Sequence, residues 1–596
     1  MTKIKINNIF ITIFITIFII FWLWPLWNMN GLAVVSDGNL YLQNMEAIKI
    51  AILNFSQLPQ NNPWVMGGQP HSLHLMSPLS FKFWIFIAFE TKTALSIYML
   101  FAFMLLFYGS YKIASYYFKD KNLKYSFALL SIFNIALIFH LKAGHYIFLS
   151  FCYFPLILYF LFKHRSMKYS GVFSGYLFGM MLDDDFTYMS AYCIVILALF
   201  IVYFFRNFKN KNRQKLFYWC FFFILTTLSV ICYKLNILYE IRNDFPRNVS
   251  SSNLSNIFSL LKSYLFPYYK LEGNVFASKR FCTSTWENSV YIGLIAFIFI
   301  FFSFKNKFNT AHYIIIFLFL LQLGTLTYLP YGLLKNLPIF ESHGCYNRVR
   351  VFNSFYLSFL ILSGFSYICK NKDLFKGTYS KLYELRTYIL IFILIERLFT
   401  SHLLMHDTHK DYKDVDKFSR YFVEYKNYNI LDKYKNNKNF FNYSNLPPYE
   451  ATKQNIGIMR YGGHSFYSYN PYIDENYIGP YAVDEKEYQG EFTIDGKIIK
   501  PDFWSPNVII FNNLEINKKL NLNMNPNRGW KLNGDDLFIN HKVWEHNKKF
   551  IINVKEPSIT LKYDTPGINR GIIMNFLILF ILFITIYKFK KSKLIK

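Results

Sequence analysis

The sequence predicts a mainly α fold: a polytopic helical membrane protein with a β-rich extracytoplasmic domain before its last helix. Three observations carry that reading. Over half of the residues are hydrophobic (53%) and only 17% are charged. The apolar residues come in runs of roughly 18 or more, the length that spans a bilayer core. The basic residues lie in short loops between those runs, as Lys and Arg do when they stay on the cytoplasmic side. These loops are Lys119 to Lys124, Lys163 to Lys168, Arg206 to Lys215, Lys305 to Lys307, Lys370 to Arg386, and the tail Lys588 to Lys596. The formal net charge of +28 is then mostly topological, and no nucleic-acid partner is implied.

Read in order, the runs give about twelve spans: 9–27, 94–117, 124–141, 146–162, 168–182, 187–205, 214–234, 288–304, 311–330, 351–369, 387–402 and 572–588. The first is too long for a signal-peptide core and lacks a small-residue cleavage site, so it reads as a retained anchor. With Lys3 and Lys5 inside, every basic loop falls on the cytoplasmic face, and so do both termini. The run Leu79 to Phe89 is too short to span and reads as a helix lying along the outer leaflet. Residues 1–402 form the membrane domain, with outer loops 28–93, 235–287 and 331–350. Residues 403–571 are extracytoplasmic, and 572–596 hold the closing helix and a basic tail.

Within 403–571, EFTIDGKIIK places Asp495-Gly496 between two alternating segments, a type I′ hairpin signal. NVIIF, KFIINV and SITLKY read as further strands, and Asn533-Gly534 offers another turn. A small sandwich is expected, with Trp504 and Trp530 open to either a core or a binding role. Of seven cysteines, Cys282 and Cys345 lie at the outer face, where a disulfide is one option. The others read as buried small hydrophobes. No CxxC pair, HExxH, Walker A or Rossmann glycine pattern occurs.

The polar groups capable of chemistry gather at the outer face. The first outer loop carries Asp37 and Glu46, then Trp64, Gly67, Gly68 and His71. His145 follows the third span. Asp183, Asp184 and Asp185 follow the fifth, Lys279, Arg280 and Glu287 precede the eighth, and Arg348 and Arg350 enter the tenth. Asp37 is either the acid of an Asp-Gly turn or a general base at headgroup level. Glu46 is a second acid or a surface charge. Three adjacent carboxylates repel one another, so Asp183 to Asp185 suit a divalent cation such as Mg or Mn; a negative loop is the plainer reading. Paired guanidiniums at Arg348 and Arg350 suit a phosphate or simple interfacial anchoring. Trp64 with Gly67 and Gly68 suits a platform for a sugar face, or a structural turn.

The order of these features resembles GT-C-type glycosyltransferases, and more narrowly the bacterial YfhO-like family. An acid soon after the first span, W-x-x-G-G-x-P at 64–70 and a Pro78 segment leading to a horizontal helix carry the likeness. G-H-Y-x-F at 144–148, W-E-N-S-V-Y-I-G at 286–293, N-R-V-R-V-F at 347–352, R-G-W at 528–530 and Y-D-T-P-G-I-N-R-G at 563–571 extend it over nearly the whole chain. The resemblance implies an enzyme of the bacterial plasma membrane with a polyprenyl-phosphate-linked sugar donor. It makes Asp37 the catalytic carboxylate, the loop 235–287 a cover for the donor, and Arg348 with Arg350 the seat of the lipid phosphate. The acceptor, a cell-envelope glycan, lipid or protein, does not carry over. Where the family has a Gly-rich turn after the fifth span, this chain has Leu182-Asp183-Asp184-Asp185. Three other readings compete: a flippase or transporter of lipid-linked glycans, an O-antigen ligase or polymerase with its essential residues in 235–287 or 331–350, and a non-catalytic GT-C-like scaffold whose outer β-domain only binds glycan.

Overall fold

The computed structural model describes residues 13–24, 36–63, 69–70, 76–142, 144–164, 166–167, 169–184, 188–241, 257–265, 290–293, 295–305, 310–322, 334, 346–371, 380–406, 443–444, 464–465, 489–524, 528–537 and 550–591. The chain begins with α1 (Ile13–Trp24), α2 (Ser36–Phe55), a short ladder of β1 (Asn61–Asn62) and β2 (Gln69–Pro70), and α3 (Phe81–Ala88). The helices α4 (Thr91–Ala114), α5 (Lys121–Ile132) and α6 (Ile135–Lys142) follow. A 3-10 helix (Tyr146–Tyr153) runs into α7 (Phe154–Phe162), then come α8 (Ser170–Asp184), α9 (Met189–Asn207), α10 (Asn210–Ile241) and α11 (Ile257–Leu265). The membrane part continues with α12 (Ala296–Ser303), α13 (Thr310–Gln322), α14 (Arg350–Lys370) and α15 (Ser380–His406).

Among the described residues, seven helices are long and apolar enough to cross a membrane: α4, α5 with α6, α9, α10, α14, α15 and the C-terminal α16 (Ile568–Lys591). Three shorter apolar helices, Ile13–Trp24, Tyr146–Phe162 and Thr310–Gln322, fall within other expected spans. Two expected spans are represented by helices too short to cross alone, α8 and α12. The expected span 214–234 is one part of a longer helix, because α10 runs on without a break to Ile241. Within the expected segment Leu79 to Phe89 the helix is α3, eight residues long.

Local chemistry explains the breaks. Between α5 and α6 the buried Asn134 accepts from Leu137 N (3.2 Å) and donates to Val351 O (2.9 Å). It thereby caps α6 and ties it to α14. Pro155 lies in the first turn of α7, where its missing N–H costs nothing. The helices α8 and α10 approach closely along Gly171, Gly175 and Gly179. A Cβ at Gly175 would lie 2.4 Å from Phe223 O, and one at Gly171 2.6 Å from Trp219 O. Small residues at every fourth position allow such backbone contact between apolar helices. Gly571 does the same for α16 against Tyr233 of α10.

Near the C-terminus the strands β3 (Tyr443–Ser444) and β4 (His464–Ser465) pair in parallel. The expected sandwich is formed by β5 (Phe492–Ile494), β6 (Lys497–Ile498), β7 (Phe503–Ser505), β8 (Val508–Phe511), β9 (Lys519–Leu522), β10 (Trp530–Leu532), β11 (Asp535–Asp536), β12 (Phe550–Asn553) and β13 (Ile559–Tyr563). One sheet has the order β11-β10-β13-β8-β7 and the other β12-β9-β5-β6. Asp495 and Gly496 take φ of 50° and 78°, and Asn533 and Gly534 take 52° and 101°. Both are the double positive-φ hairpins that these dipeptides favour. Trp504 and Trp530 are buried in the core between the sheets.

That core is not closed by strands alone. Ala47 and Ile50 of α2 belong to it, and Phe55 meets Trp504 edge-on at 5.6 Å. Asn507 accepts from Gln60 N (3.0 Å) and Asn61 N (3.2 Å) and donates to Leu58 O (2.8 Å). Thr565 N donates to Gln60 Oε1 at 2.7 Å. On the far side Glu240 of α10 pairs with Arg528 (3.3 Å) and Arg570 (3.2 Å). The sandwich is therefore bolted to α2, α10 and the start of α16. Two boundaries shift from the sequence reading: α15 extends to His406 and α16 starts at Ile568.

Candidate functional site

Asp183 and Asp184, expected in a turn after the fifth span, are instead the last two residues of α8, with buried side chains. Asp184 pairs with Lys82 of α3 at 2.8 Å, the two side chains being 2% and 3% exposed. Its other oxygen accepts from the Tyr98 hydroxyl, which stands 3.3 Å from that of Tyr153. Asp183 accepts from Tyr233 OH (2.7 Å) and Ser77 N (2.9 Å), and its backbone carbonyl accepts from Lys234 Nζ at 2.6 Å. Lys234 also stands 3.7 Å from the Asp183 carboxylate.

All four carboxylate oxygens thus have donors. The repulsion between Asp183 and Asp184 is relieved by two ammonium groups, in place of the cation the sequence invited. These residues do not fit a divalent ion as they stand, and Asp185 lies outside the described residues. Among the described residues no cluster of three or more His, Cys, Asp and Glu is placed to hold a metal. For Lys82, burial works against its charged form, but the Asp184 carboxylate and the Tyr41 phenol together outweigh it and lift the ammonium's pKa above the usual lysine value. Its ammonium also lies 5.0 Å from the centre of the Tyr41 ring. Burial pushes the Tyr41 phenol up to about 12, so it stays neutral and acts as an aromatic wall.

Tyr41 meets the Tyr146 ring at 5.6 Å, which links this cluster to a second, cationic one. There His140 and His145 share a hydrogen bond between their Nδ1 atoms at 3.0 Å, which requires one of the two to be unprotonated. His140 stacks on Phe148 at 3.7 Å. Phe148 in turn neighbours Tyr188, over which Arg348 lies at 4.0 Å. Arg348 and Arg350 are both within electrostatic reach of His140. Arg350 is buried and its Nε donates to Gln322 Oε1 (3.0 Å), which also accepts from Tyr264 OH (2.9 Å). The expected pair of phosphate-binding guanidiniums is thus divided: Arg348 is partly open, and Arg350 is fixed in a buried network.

The remaining sequence candidates fall as follows. Asp37 lies in the first turn of α2, one turn before Tyr41, and its side chain is outside the described residues. Glu46 is buried and accepts from Thr91 at the start of α4, which makes it a tie between helices. Trp64, Gly67, Gly68, His71, Lys279, Arg280 and Glu287 lie outside the described residues, as do Cys282 and Cys345. The other five cysteines are free thiols, three of them buried and two partly so.

Sequence reasoning missed Lys82, Lys234, Tyr98 and Tyr233. A single ammonium inside an apolar run, as in FKFWIFIA or SVICYKLNIL, was the available signal, since ionisable groups there are costly and functional by default. With the geometry in hand, comparison with known proteins adds nothing further: no family model, curated protein or solved structure matches the chain.

Proposed function

We propose that the protein is a GT-C-like membrane glycosyltransferase. It transfers a sugar, with inversion, from a polyprenyl-phosphate donor to a glycan, lipid or protein outside the cytoplasm. In this reading the chain crosses the bacterial plasma membrane about twelve times, with both termini in the cytoplasm. One observation carries the proposal. The ends of α2, α3, α6, α8 and α14 bring acids, ammonium groups, imidazoles and a guanidinium together beside apolar helices. A lipid-phosphate donor requires that combination: apolar surface for its chain, cations for its phosphate and a base for the acceptor.

Positions 37 and 41 share one face of α2 by helical spacing, and Tyr41 borders both clusters. Asp37 at this place takes the proton from the acceptor hydroxyl as its oxygen attacks the anomeric carbon. The bond from that carbon to the phosphate oxygen breaks, and the lipid phosphate leaves with the electron pair. Arg348 and His145, with Lys279 and Arg280 where the loop closes, stabilise the departing charge. The sandwich, joined to α2, presents the acceptor.

The test is sugar transfer from a panel of radiolabelled polyprenyl-phosphate sugars by purified protein. Wild type is compared with Asp37→Asn at matched folding. Transfer is expected to collapse in the variant, and transfer that survives removes Asp37 from the mechanism. The buried charges of α8, α10 and α15 favour one second reading, a flippase of lipid-linked glycans. A lipid-flipping signal in vesicles without any sugar transfer would establish it.

A further inference from the structure

The end of α6 pairs two imidazoles through its backbone. Gly144, at a φ of 81°, turns the chain back over the helix end. Its N–H donates to Leu141 O at 3.0 Å, and that of His145 donates to His140 O at 2.9 Å. These are the two bonds of a Schellman motif, which brings the side chains of its first and sixth residues together, commonly in an apolar contact. Here His140 and His145 meet in that place, Nδ1 to Nδ1 at 3.0 Å. Both rings lie nearly parallel to Phe148, at 16° and 27°. The pair is therefore assembled before any ligand arrives.

Such a pair has room for one more proton. With both rings neutral, one Nδ1–H donates to the other ring's Nδ1. An added proton goes to the outer nitrogen of the donor ring, and the bond survives as imidazolium to imidazole. A second added proton would put N–H groups on both facing nitrogens and break it. His140 is buried and His145 only half-buried, so His145 is the ring that solvent and a ligand reach. The helix α6 packs on α14, α15 and the 3-10 helix. Among the described residues, the charged groups that act on His140 are His145, Arg348 and Arg350, with no carboxylate among them, and Lys142 shares its helical turn. A further positive charge in that company needs an anion beside it. Arg348, half-buried over the Tyr188 ring, faces the same aromatic wall, since Tyr188 lies within 23° of parallel to Phe148.

We propose that the His140–His145 pair takes up one proton when a phosphate monoester binds beside Arg348, so that the site prefers the dianion to a singly charged phosphodiester. His145 carries the proton and turns its Nε2–H to the phosphate. His140 is a positioning residue that accepts from His145 Nδ1. The identity of the ligand as a lipid phosphate rests on the glycosyltransferase reading above. In that reaction the donor is a phosphodiester with one negative charge, and the lipid phosphate that leaves has two. The proton comes from water as the second charge develops, and returns to water when the lipid phosphate departs.

The experiment is calorimetric titration of the full-length protein in maltoside micelles, with micelles alone subtracted. The probes are farnesyl phosphate and its methyl ester, a phosphodiester that keeps a single charge. Each titration is run in two buffers of different ionisation enthalpy, which counts the protons bound. A phosphate monoester has its second pKa at about 6, so at about pH 7.5 the first probe is mostly dianionic, while an imidazole still changes charge nearby. Wild type is expected to take up close to one proton per farnesyl phosphate, and its affinity to fall by up to about ten-fold per pH unit as pH rises. The methyl ester should bind with no uptake and little pH dependence. His145→Gln should bind the monoester roughly ten-fold more weakly, a difference of about 1.4 kcal/mol, and without uptake. His140→Phe should lose most of the uptake, and His140→Asn, whose amide oxygen replaces the accepting nitrogen, should restore it. Should His140→Phe not fold, His145→Gln and His140→Asn carry the test. Uptake that persists in His145→Gln would place the proton on the ligand and overturn the proposal. So would uptake with the methyl ester, undiminished uptake in a folded His140→Phe, or no binding of farnesyl phosphate by wild type. Sugar transfer by a protein that binds the monoester without a proton would sink this inference alone. Proton-linked binding without sugar transfer would leave it standing and remove the enzyme.

Discussion

At the scale of single residues, Lys82 and Asp184 depend on each other. Neither is stable as a lone charge, since each is almost wholly removed from water. Lys82→Met is therefore expected to cost about 3–5 kcal/mol, because it strands the carboxylate. The double change Lys82→Met with Asp184→Leu should recover most of that loss, as thermal unfolding in detergent would register. Gly293 carries a comparable constraint for a different reason. Its φ is +85°, and a Cβ would lie 2.7 Å from Glu396 Oε2. Gly293→Ala should cost about 1–2 kcal/mol from the backbone alone, read in the same unfolding assay. The sequence made W-E-N-S-V-Y-I-G visible as a motif, but the reason for its final glycine, a carboxylate lying 103 residues on, belongs to the packing.

At the scale of elements, what was legible followed how local the cause was. Asp495-Gly496 and Asn533-Gly534 could be read as hairpins because two neighbouring residues determine the turn. The helix α3 could be read from a run too short to cross. The pairing of Lys82 with Asp184, 102 residues apart, had no local trace beyond a cation in apolar company. The glycine stripe of α8 was also written in the sequence, at a spacing of four, but its meaning needs the partner α10. Gly175→Val is expected to force α8 and α10 apart at a cost of about 1–3 kcal/mol. It should also weaken the contact of Lys234 with Asp183, detectable as faster amide exchange around the end of α8. The first hairpin offers a pH test. Hydrogen bonding to Asp495 and its charge lift the exposed Lys518 ammonium above its usual 10.5. Its folded pKa is raised, so its contribution is complete below about 10.5 and is lost as pH rises through the higher value. The sandwich's alkaline unfolding should shift slightly downward in pH in Lys518→Met, which has nothing left to titrate there.

At the scale of the whole molecule, the helix that carries Asp37 is shared by the helical bundle and the β-sandwich, with Leu42, Met45 and Ile48 in one core and Ala47 and Ile50 in the other. The composition change near residue 403 read as a domain boundary; the β unit among the described residues runs from Phe492 to Tyr563. What composition does not encode is that α2 completes the core of that unit. Asn507 is the main fastener, with three hydrogen bonds to residues 58–61. Asn507→Ala leaves two backbone N–H groups and one carbonyl without partners, at about 1–3 kcal/mol for each buried group. Limited proteolysis should then cut first near residues 56–60, and sugar transfer, where it is measured, should fall together with that protection.

The joint also sets an order of events during synthesis. Gln60 and Asn507 are 447 residues apart, so the ribosome needs roughly 20 to 90 s to travel from one to the other at about 5–20 residues per second. For all of that time Ala47, Ile50 and Phe55 of α2 lack the strands that cover them. A nascent chain that stalls late, with every helix but the last already inserted, still shows this apolar flank to proteases and chaperones. Completion of the C-terminal strands is what hides it.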